Sequence, residues 1–354
     1  MKYFIDLNSS KPAYVQLYDA IRADIVSGKL AVGEKLPSKR LMAGELGISL
    51  ITVEHAYALL IDEGYAVSRQ RSGYYVSFGD ALACGSAAPR AKEALPELHS
   101  DFPFSVLAKT MRRVLSEYDR DILKRSPNSG CMELRRSIAD YLERSRGIMA
   151  RPEQIIIGSG AEYLYGLVVQ LLGRECVFAL ENPCYEKIRR VYETNGARCI
   201  MLRLENDGIA SGELSACHAG ALHVTPYNSF PSGVTASAAK RYEYAQWAKS
   251  SNAYIIEDDY DSEFSSALKQ ISTIFSIEPE HVIYINTFSR SIAPGMRMGY
   301  MLLPEALLER YEKELSFYSC TVPVYEQYVL AEFIDSGEFE RHINRARRKL
   351  RSEK

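Results

Sequence analysis

Residues 36–76 carry the pattern that most restricts the fold, because two short helical periodicities and two short strands follow one another without a break. The first helical pattern begins after Ser38, a residue type that caps helix N-termini well, and closes at Gly47. The second begins after Ser49 and repeats apolar residues at three- and four-residue steps, at Val53, Ala56, Tyr57 and Leu60. Two strand-like segments then flank residues 69–73. This order predicts a helix-turn-helix followed by a β-hairpin wing, with a further amphipathic helix upstream over residues 13–27.

A helix-turn-helix inserts the start of its second helix into the major groove, so this pattern predicts double-stranded DNA as a partner. The residues predicted to contact DNA lie at the two helix starts and at the wing tip: Ser38, Lys39, Arg40, Ser49, Leu50, Thr52, Arg69, Arg71 and Gly73. Ser38 and Ser49 also act as helix caps, which is compatible with phosphate binding because a helix N-terminus attracts anions. For Arg69 and Arg71 the alternative is a solvated turn.

The composition supports an ordinary globular protein of two or more domains, with 47% hydrophobic and 25% charged residues. The net charge of −2 offers no global attraction to nucleic acid, so a few well-placed cations have to carry DNA binding. No apolar run is long enough for a membrane span, and the N-terminus lacks the apolar core of a signal peptide. Seven scattered cysteines without a CxxC predict neither disulfides nor a metal site, and indicate a reducing, cytoplasmic location.

The chain beyond the wing predicts a linker and a second, larger domain. Residues 78–98 are rich in Ala, Gly, Pro and Ser and lack periodicity, so we predict domains at 1–77 and 99–354 separated by this linker. After residue 100, apolar strands alternate with helical patterns, which predicts an α/β fold with a mainly parallel seven-stranded sheet. The seven predicted strands are 154–157, 176–180, 198–202, 221–225, 253–257, 282–286 and 299–303. Helices are predicted between them at 162–172, 185–194 and 238–250.

Polar clusters follow three of these strands, at the edge where ligands bind in such sheets: 158–161, 258–261 and 287–290. Each has a simpler explanation as a turn, a solvated loop or a helix start. Together they suit an anionic aromatic ligand. Residues 158–161, Ser289 and Arg297 offer backbone N–H groups and a cation for a phosphate. Asp258 suits a protonated pyridine nitrogen, and Tyr185 an aromatic ring.

The N-terminal segment resembles the winged helix-turn-helix of the GntR superfamily of bacterial transcriptional regulators. The resemblance rests on Leu36-Pro37-Ser38-x-Arg40, Leu46-Gly47-Ile48-Ser49, Thr52-Val53-x-x-Ala56-Tyr57-x-x-Leu60 and Glu63-Gly64. The family usually has arginine directly after the turn serine, whereas this chain has Leu50. Leucine can touch a thymine methyl group but cannot make the bidentate guanine contact of arginine.

The later clusters resemble fold-type I aminotransferases that use pyridoxal phosphate, and most closely MocR-type regulators, in which such a domain follows a GntR head. The main carrying segments are 157–161, 181–185, 225–233, 256–264 and 287–300. The resemblance implies that Asp258 faces the pyridine nitrogen, Tyr260 the ring hydroxyl and Arg297 the phosphate. The full cofactor-type set that it implies is Ser159, Gly160, Ala161, Tyr185, Asn228, Asp258, Tyr260, Ser289, Arg290 and Arg297.

Three departures from this family decide the expected function. Arg290 stands at the Schiff-base lysine, and a guanidinium stays protonated and cannot form that linkage. Asn228 and Ser229 replace the usual His-Gln. The family would continue beyond Lys354 into a small domain, so the sequence is expected to be a shortened variant or a fragment. No catalytic residue is predicted, and pyridoxal phosphate is expected to bind noncovalently at most.

The expected function is a sequence-specific transcriptional regulator whose degenerate aminotransferase-like domain senses an effector and forms a homodimer. The effector would be an amino-acid-like or pyridoxal-phosphate-like anion. One alternative is an aminotransferase that also binds DNA, against which Arg290 argues. Another is a scaffold whose large domain only dimerises.

Overall fold

The computed structural model describes residues 3–6, 9, 11–69, 72–78, 102–264 and 272–352. The N-terminal part contains three helices and a hairpin: α1 (Ala13–Val26), α2 (Lys39–Leu46), α3 (Leu50–Asp62), β1 (Ala66–Arg69) and β2 (Gly73–Val76). Ser38 Oγ accepts a hydrogen bond from the Leu41 N–H at 3.2 Å, and Ser49 Oγ accepts one from the Thr52 N–H at 3.0 Å. Both predicted N-caps are therefore confirmed.

The predicted apolar stripe of α3 forms the centre of this part of the molecule. Val53, Ala56 and Tyr57 are buried in one cluster with Leu17 and Ile21 of α1. The two strands pair antiparallel, as the wing prediction requires. A helix-turn-helix followed by a wing is thus confirmed.

The large domain alternates strands and helices. Its helices are α4 (Phe104–Tyr118), α5 (Met132–Arg146), α6 (Ala161–Leu172), α7 (Glu186–Thr194), α8 (Ser211–Ser215), α9 (Ala238–Ser251), α10 (Phe288–Ser291), α11 (Glu305–Glu314), α12 (Val324–Asp335) and α13 (Glu338–Ser352). Its strands are β3 (Ile155–Gly158), β4 (Val177–Asn182), β5 (Arg198–Glu205), β6 (Gly208–Ile209), β7 (Ala221–Val224), β8 (Tyr254–Asp258), β9 (Val282–Thr287) and β10 (Gly299–Leu302).

These strands form one sheet in the order β3-β10-β9-β8-β7-β4-β5-β6. The five strands from β9 to β5 in that order run parallel, whereas β10 and β6 are antiparallel to their neighbours. All seven predicted strands are present, but the prediction of seven strands is wrong by one. The eighth strand, Gly208–Ile209, is only two residues long and leaves no periodic pattern in the sequence.

The sheet is buried on both faces by two apolar clusters, which leaves its carboxyl edge as the place where polar residues can gather. Six cysteines among the described residues are free thiols, as predicted. No helix of the described residues is long and apolar enough to cross a bilayer. Nearly all of the predicted linker, at 79–98, lies outside the described residues.

Candidate functional site

The starts of α2 and α3 present an exposed surface. Ser38, Arg40 and Ser49 are exposed, and the Leu50 side chain remains 43% accessible although it is apolar. The Thr52 hydroxyl lies 2.8 Å from Ser49 Oγ, so the two hydroxyls form a small polar pair at the first turn of α3. This is the end of the helix that enters a major groove in helix-turn-helix proteins.

Lys39 is held differently from what the sequence suggested. Its ammonium group forms an ion pair with Glu54 of α3, and this contact raises the pKa of Lys39 and lowers that of Glu54. The ammonium group also lies 5.9 Å from the centre of the Tyr74 ring. A phosphate contact by Lys39 therefore has to compete with Glu54.

The wing is organised around an aromatic residue that the sequence analysis did not single out. The Arg69 guanidinium lies 4.6 Å from the centre of the Tyr75 ring, and the Lys35 ammonium lies 5.8 Å from it. Lys35 precedes the helix pair but pairs with Tyr75 through an isolated β-bridge. Gly73 has φ +117, and a Cβ there would lie 3.1 Å from Lys35 Cε, so glycine suits this position. Arg71 lies outside the described residues.

The second cluster lies at the carboxyl edge of the large sheet. Asp258, the last residue of β8, is buried, and its Oδ2 accepts a hydrogen bond from the Tyr165 hydroxyl of α6. His223 Nε2 of β7 lies 3.7 Å from the same oxygen. The other oxygen, Asp258 Oδ1, has no hydrogen-bond partner among the described residues. A buried acceptor without a partner is costly unless a donor fills the site.

Beside Asp258, two of the predicted residues are joined by one carboxylate, and a third bonds to one of them. Asp261 accepts hydrogen bonds from the Asn228 side-chain amide and from the Arg290 guanidinium. Arg290, in the short helix α10, is mostly buried in this ion pair. The Tyr260 hydroxyl donates to the backbone oxygen of Asn228 at 2.8 Å. Arg290 therefore occupies the site as a paired cation.

The opposite end of the cluster, which we call the rim, consists of Gly160, Glu162 and Arg297. Gly160 caps α6 with φ +100, and a Cβ there would lie 3.4 Å from Arg297 Nη2. The Arg297 side chain is 58% exposed and donates to Glu162 Oε2 at 2.6 Å. Burial opposes ionisation of Glu162, but hydrogen bonds from Arg297 and Lys187 outweigh it and lower the pKa of Glu162.

The remaining predicted residues lie around these two ends. Ser159 donates its N–H to Thr321 Oγ1 at 3.1 Å, and Ala161 begins α6. The Tyr185 ring meets Phe230 edge-on, with the ring centres 5.6 Å apart. Ser289 lies in α10 directly before Arg290 and is half-buried. Because β8, β9 and β10 are neighbours in the sheet, their adjoining loops bring Asp258, Ser289 and Arg297 to one edge.

Several carboxyl groups beneath this edge are buried. Burial raises the pKa of Glu181 to about 8, against a hydrogen bond from Ser229 that lowers it. Burial also raises the pKa of Glu257 and of Glu263 to about 7. Asp259 forms a buried ion pair with Arg146 of α5.

The sequence analysis missed the partners of the predicted residues. Asp261 was quoted only as part of a segment, and Tyr165, His223 and Glu162 were not considered as site residues. The last three lie on α6 and β7, away from the motifs, so only their packing reveals them. Asp261 could have been found from the sequence, because it directly follows Tyr260 in the same acidic run.

Two protein-family models match the chain, one at the DNA-binding part and the other at the large domain. Residues 13–76 match the model for bacterial regulatory proteins of the gntR family, and residues 93–354 match that for class I and II aminotransferases. A winged helix-turn-helix joined to an aminotransferase-like domain defines a class of DNA-binding transcriptional regulators. The chain belongs to this class, the MocR-type regulators of the GntR family.

Individual relatives agree with this assignment. The HTH-type transcriptional regulator YdeL of Bacillus subtilis (strain 168) is 33% identical over 99% of this chain and 79% of YdeL. The pyridoxine biosynthesis transcriptional regulator PdxR of Corynebacterium glutamicum is 29% identical, over 98% of this chain and 79% of PdxR. The solved structure of kynurenine aminotransferase from Pyrococcus horikoshii superposes with a TM-score of 0.65 at 23% identity, covering 74% of this chain and 67% of the enzyme chain. That likeness shows the fold of the large domain.

Proposed function

We propose that this regulator binds pyridoxal phosphate, or an anion of the same shape, without a covalent bond, and that it does not catalyse transamination. The observation that carries this proposal is the Arg290–Asp261 ion pair at the position where the resemblance expects a reactive lysine. A guanidinium is neither a nucleophile nor a proton shuttle near neutral pH. Its charge is also balanced by Asp261 within the chain.

The described residues suit such a ligand. Asp258 Oδ1 is the buried acceptor that a protonated ring nitrogen needs, and Tyr165 holds the other oxygen of that carboxylate. The open approach at Gly160, next to Arg297, suits a phosphate at the start of α6. Tyr185 supplies an aromatic face. In an enzyme, bound pyridoxal phosphate supplies an electron sink for amine chemistry. In this regulator, binding of the ligand would act only as a signal.

One relative, PdxR, is named as a regulator of pyridoxine biosynthesis, and a ligand of this chemical class would suit such a role. The ligand would act on transcription by binding one arrangement of the DNA-binding heads more tightly than another. Two half-sites on DNA require two heads, so the active species is proposed to be a homodimer. Exposed apolar residues of α4, Phe104 and Leu115, give a second copy a surface to cover. Light scattering of the purified protein tests this stoichiometry.

The cofactor experiment compares the wild-type protein with Arg290→Lys. Each protein is mixed with pyridoxal phosphate, treated with borohydride and analysed by mass spectrometry. Peptide mapping then locates any adduct, because borohydride also fixes imines on exposed lysines. We expect the wild type to bind the ligand reversibly and to carry no adduct at the site, whereas Arg290→Lys should trap the ligand at residue 290, since it restores a primary amine there. A stoichiometric wild-type adduct on a lysine that lines the site would overturn the proposal.

The DNA experiment addresses the proposed recognition surface. Arg40→Ala and Thr52→Ala are expected to weaken binding to promoter DNA from the protein's own gene neighbourhood, and Arg40→Ala to reduce the slope of affinity against salt by about one phosphate contact. Arg203→Ala, an exposed arginine of β5 in the large domain, is the matched control. Equal affinities for all three variants and the wild type would remove α2 and α3 as the DNA-contacting elements.

A further inference from the structure

The end of the recognition helix α3 is docked on the large domain. The backbone oxygen of Glu63, which follows α3, accepts a hydrogen bond from the Ala238 N–H at 3.2 Å, in the first turn of α9. A Cβ on Gly64 would lie 3.8 Å from Ser237 Cβ, so the two backbones are close. We call Glu63, Gly64, Ala238, Arg241 and Ser272 the domain seam. The seam joins α3 to the domain that carries the cluster around Asp258, Arg290 and Arg297, which we call the pocket.

A buried charge pair lies at the centre of the seam. The Glu63 and Arg241 side chains are each 1% exposed, and Arg241 Nη2 lies 3.8 Å from Glu63 Oε2. The Ser272 hydroxyl lies between them, 3.4 Å from the carboxylate and 3.5 Å from the guanidinium. Arg241 Nε has no hydrogen-bond partner among the described residues. Because the pair is long and incompletely bonded, it gains little over two hydrated charges, which suits a contact that opens and closes.

A few apolar and aromatic contacts lie around this charge pair. Ala238 is fully buried in the same cluster as the core of the DNA-binding domain. The Tyr242 ring of α9 meets Phe78 edge-on at 5.6 Å, and Phe78 stacks on Tyr65 at 5.5 Å. The large domain thus completes the core beneath the recognition helix, so docking at the seam constrains how that helix can lie.

The loop before α9, residues 225–237, leads from the seam to the pocket. At the seam end, the Ala236 backbone oxygen accepts from Arg241 Nη1 at 2.6 Å. At the pocket end, the Asn228 amide donates to Asp261, the partner of Arg290. Between these ends, Ser229 Oγ donates to the buried Glu181 at 2.6 Å. The loop also closes on itself, since the Ala236 N–H donates to the Pro226 oxygen at 2.8 Å. A short, internally bonded segment therefore connects Asn228 with Ala236.

We propose that the domain seam is the point at which the pocket controls the recognition helix, with Glu63 and Arg241 as positioning residues. The inference rests on the proposed function, since it needs an anion in the pocket. A ring bound against Asp258 displaces the neighbouring Asn228 amide from Asp261, while Arg290 stays paired with Asp261. Loop 225–237 shifts, the Ala236 oxygen moves from Arg241, and the seam opens. Linkage requires DNA binding and ligand binding to change each other's affinity by the same factor.

The test uses the full chain with promoter DNA and pyridoxal phosphate as the probe. In the wild type we expect the ligand to change DNA affinity at least about fivefold, the lower end of ordinary allosteric coupling. Glu63→Gln and Arg241→Gln should still bind the ligand, but their DNA affinity should become insensitive to it. Lys249→Gln, at the far end of α9, is the matched control and should couple as the wild type does.

A second readout keeps the inference testable without the ligand. Hydrogen exchange at the end of α3 and the start of α9 should rise in Glu63→Gln and Arg241→Gln, while thermal unfolding shows that both variants remain folded. A Glu63→Arg/Arg241→Glu exchange should restore part of the protection. If either single variant leaves exchange and coupling at wild-type values, the inference is overturned while the proposed function stands. If the wild type binds no pyridoxal phosphate, the proposed function fails and the coupling fails with it, and a rise in exchange then shows only that Glu63 and Arg241 hold the two domains together.

Discussion

The two ends of the pocket hold their arginines in opposite ways. Arg290 is mostly buried against Asp261, whereas Arg297 at the rim is 58% exposed and paired with Glu162. Removing one partner of a buried ion pair strongly destabilises the folded protein. An exposed ion pair contributes little to stability and exchanges partners easily. The rim is therefore suited to trade Glu162 for a phosphate, whereas Arg290 belongs to the framework that shapes the pocket.

The largest expected effect is on the free energy of unfolding, which should depend far more on the Arg290–Asp261 pair than on the Arg297–Glu162 pair. Asp261→Asn removes one charge without changing shape and leaves a buried guanidinium without its counter-ion, which should cost about 3–5 kcal/mol of unfolding free energy. Glu162→Gln makes the same chemical change at the rim and should cost about 1 kcal/mol or less. Urea unfolding monitored by circular dichroism measures both. Equal losses would contradict the distinction between a framework pair and an exchangeable one.

The pH dependence of stability should also differ in sign between the ends. Glu181, beneath the Arg290 end, has a folded-state pKa of about 8, above its ordinary value. The stability that Glu181 contributes is fully present below its ordinary pKa. As the pH rises from there to about 8, the free energy of unfolding falls by about 1.4 kcal/mol per pH unit, because only the unfolded chain has lost the proton. Glu162 has a lowered pKa, so its small contribution is present above its ordinary value and is lost as the pH falls. Unfolding free energies measured across this range test both directions.

Glu181→Gln is the matched variant, because glutamine mimics the protonated carboxyl group. It should flatten the decline toward alkaline pH, leaving the part due to Glu257 and Glu263, whose folded-state pKa values are both about 7. An unchanged slope in Glu181→Gln would assign the decline to other groups.

The third effect concerns ligand affinity at the rim. Glu162→Gln releases Arg297, so the affinity for inorganic phosphate and for pyridoxal phosphate should rise up to about fivefold, the equivalent of an exposed ion pair. Glu186→Gln removes a nearby exposed carboxylate that pairs with Arg190 instead, and should change affinity less. Titration calorimetry compares the two. Identical affinities in both variants would mean that Glu162 does not compete with the phosphate.

The sequence predicted backbone features better than side-chain pairings. Caps at Ser38 and Ser49 and all seven long strands are confirmed, because each depends on local residue types or on a repeating apolar pattern. The two-residue strand at 208–209 has no such pattern. The placement of Arg290 against Asp261 depends on how a loop folds over the sheet edge, which residue spacing does not encode. The same holds for Lys35, brought to Tyr75 only by pairing with the wing.

The smallest expected effect extends the comparison to the DNA-binding head, where Lys39 and Glu54 form another accessible pair. Glu54→Gln releases Lys39 for a phosphate, so DNA affinity should rise a few-fold at low salt and the slope of log affinity against log salt should steepen by about 0.9. Glu45→Gln, an exposed carboxylate of α2, removes the same charge without releasing Lys39. Affinity measured across a salt series distinguishes them. If both variants steepen the slope equally, only the overall charge of the head matters. If Glu54→Gln alone does so, Lys39 can bind a phosphate, and its ion pair with Glu54 competes with that contact.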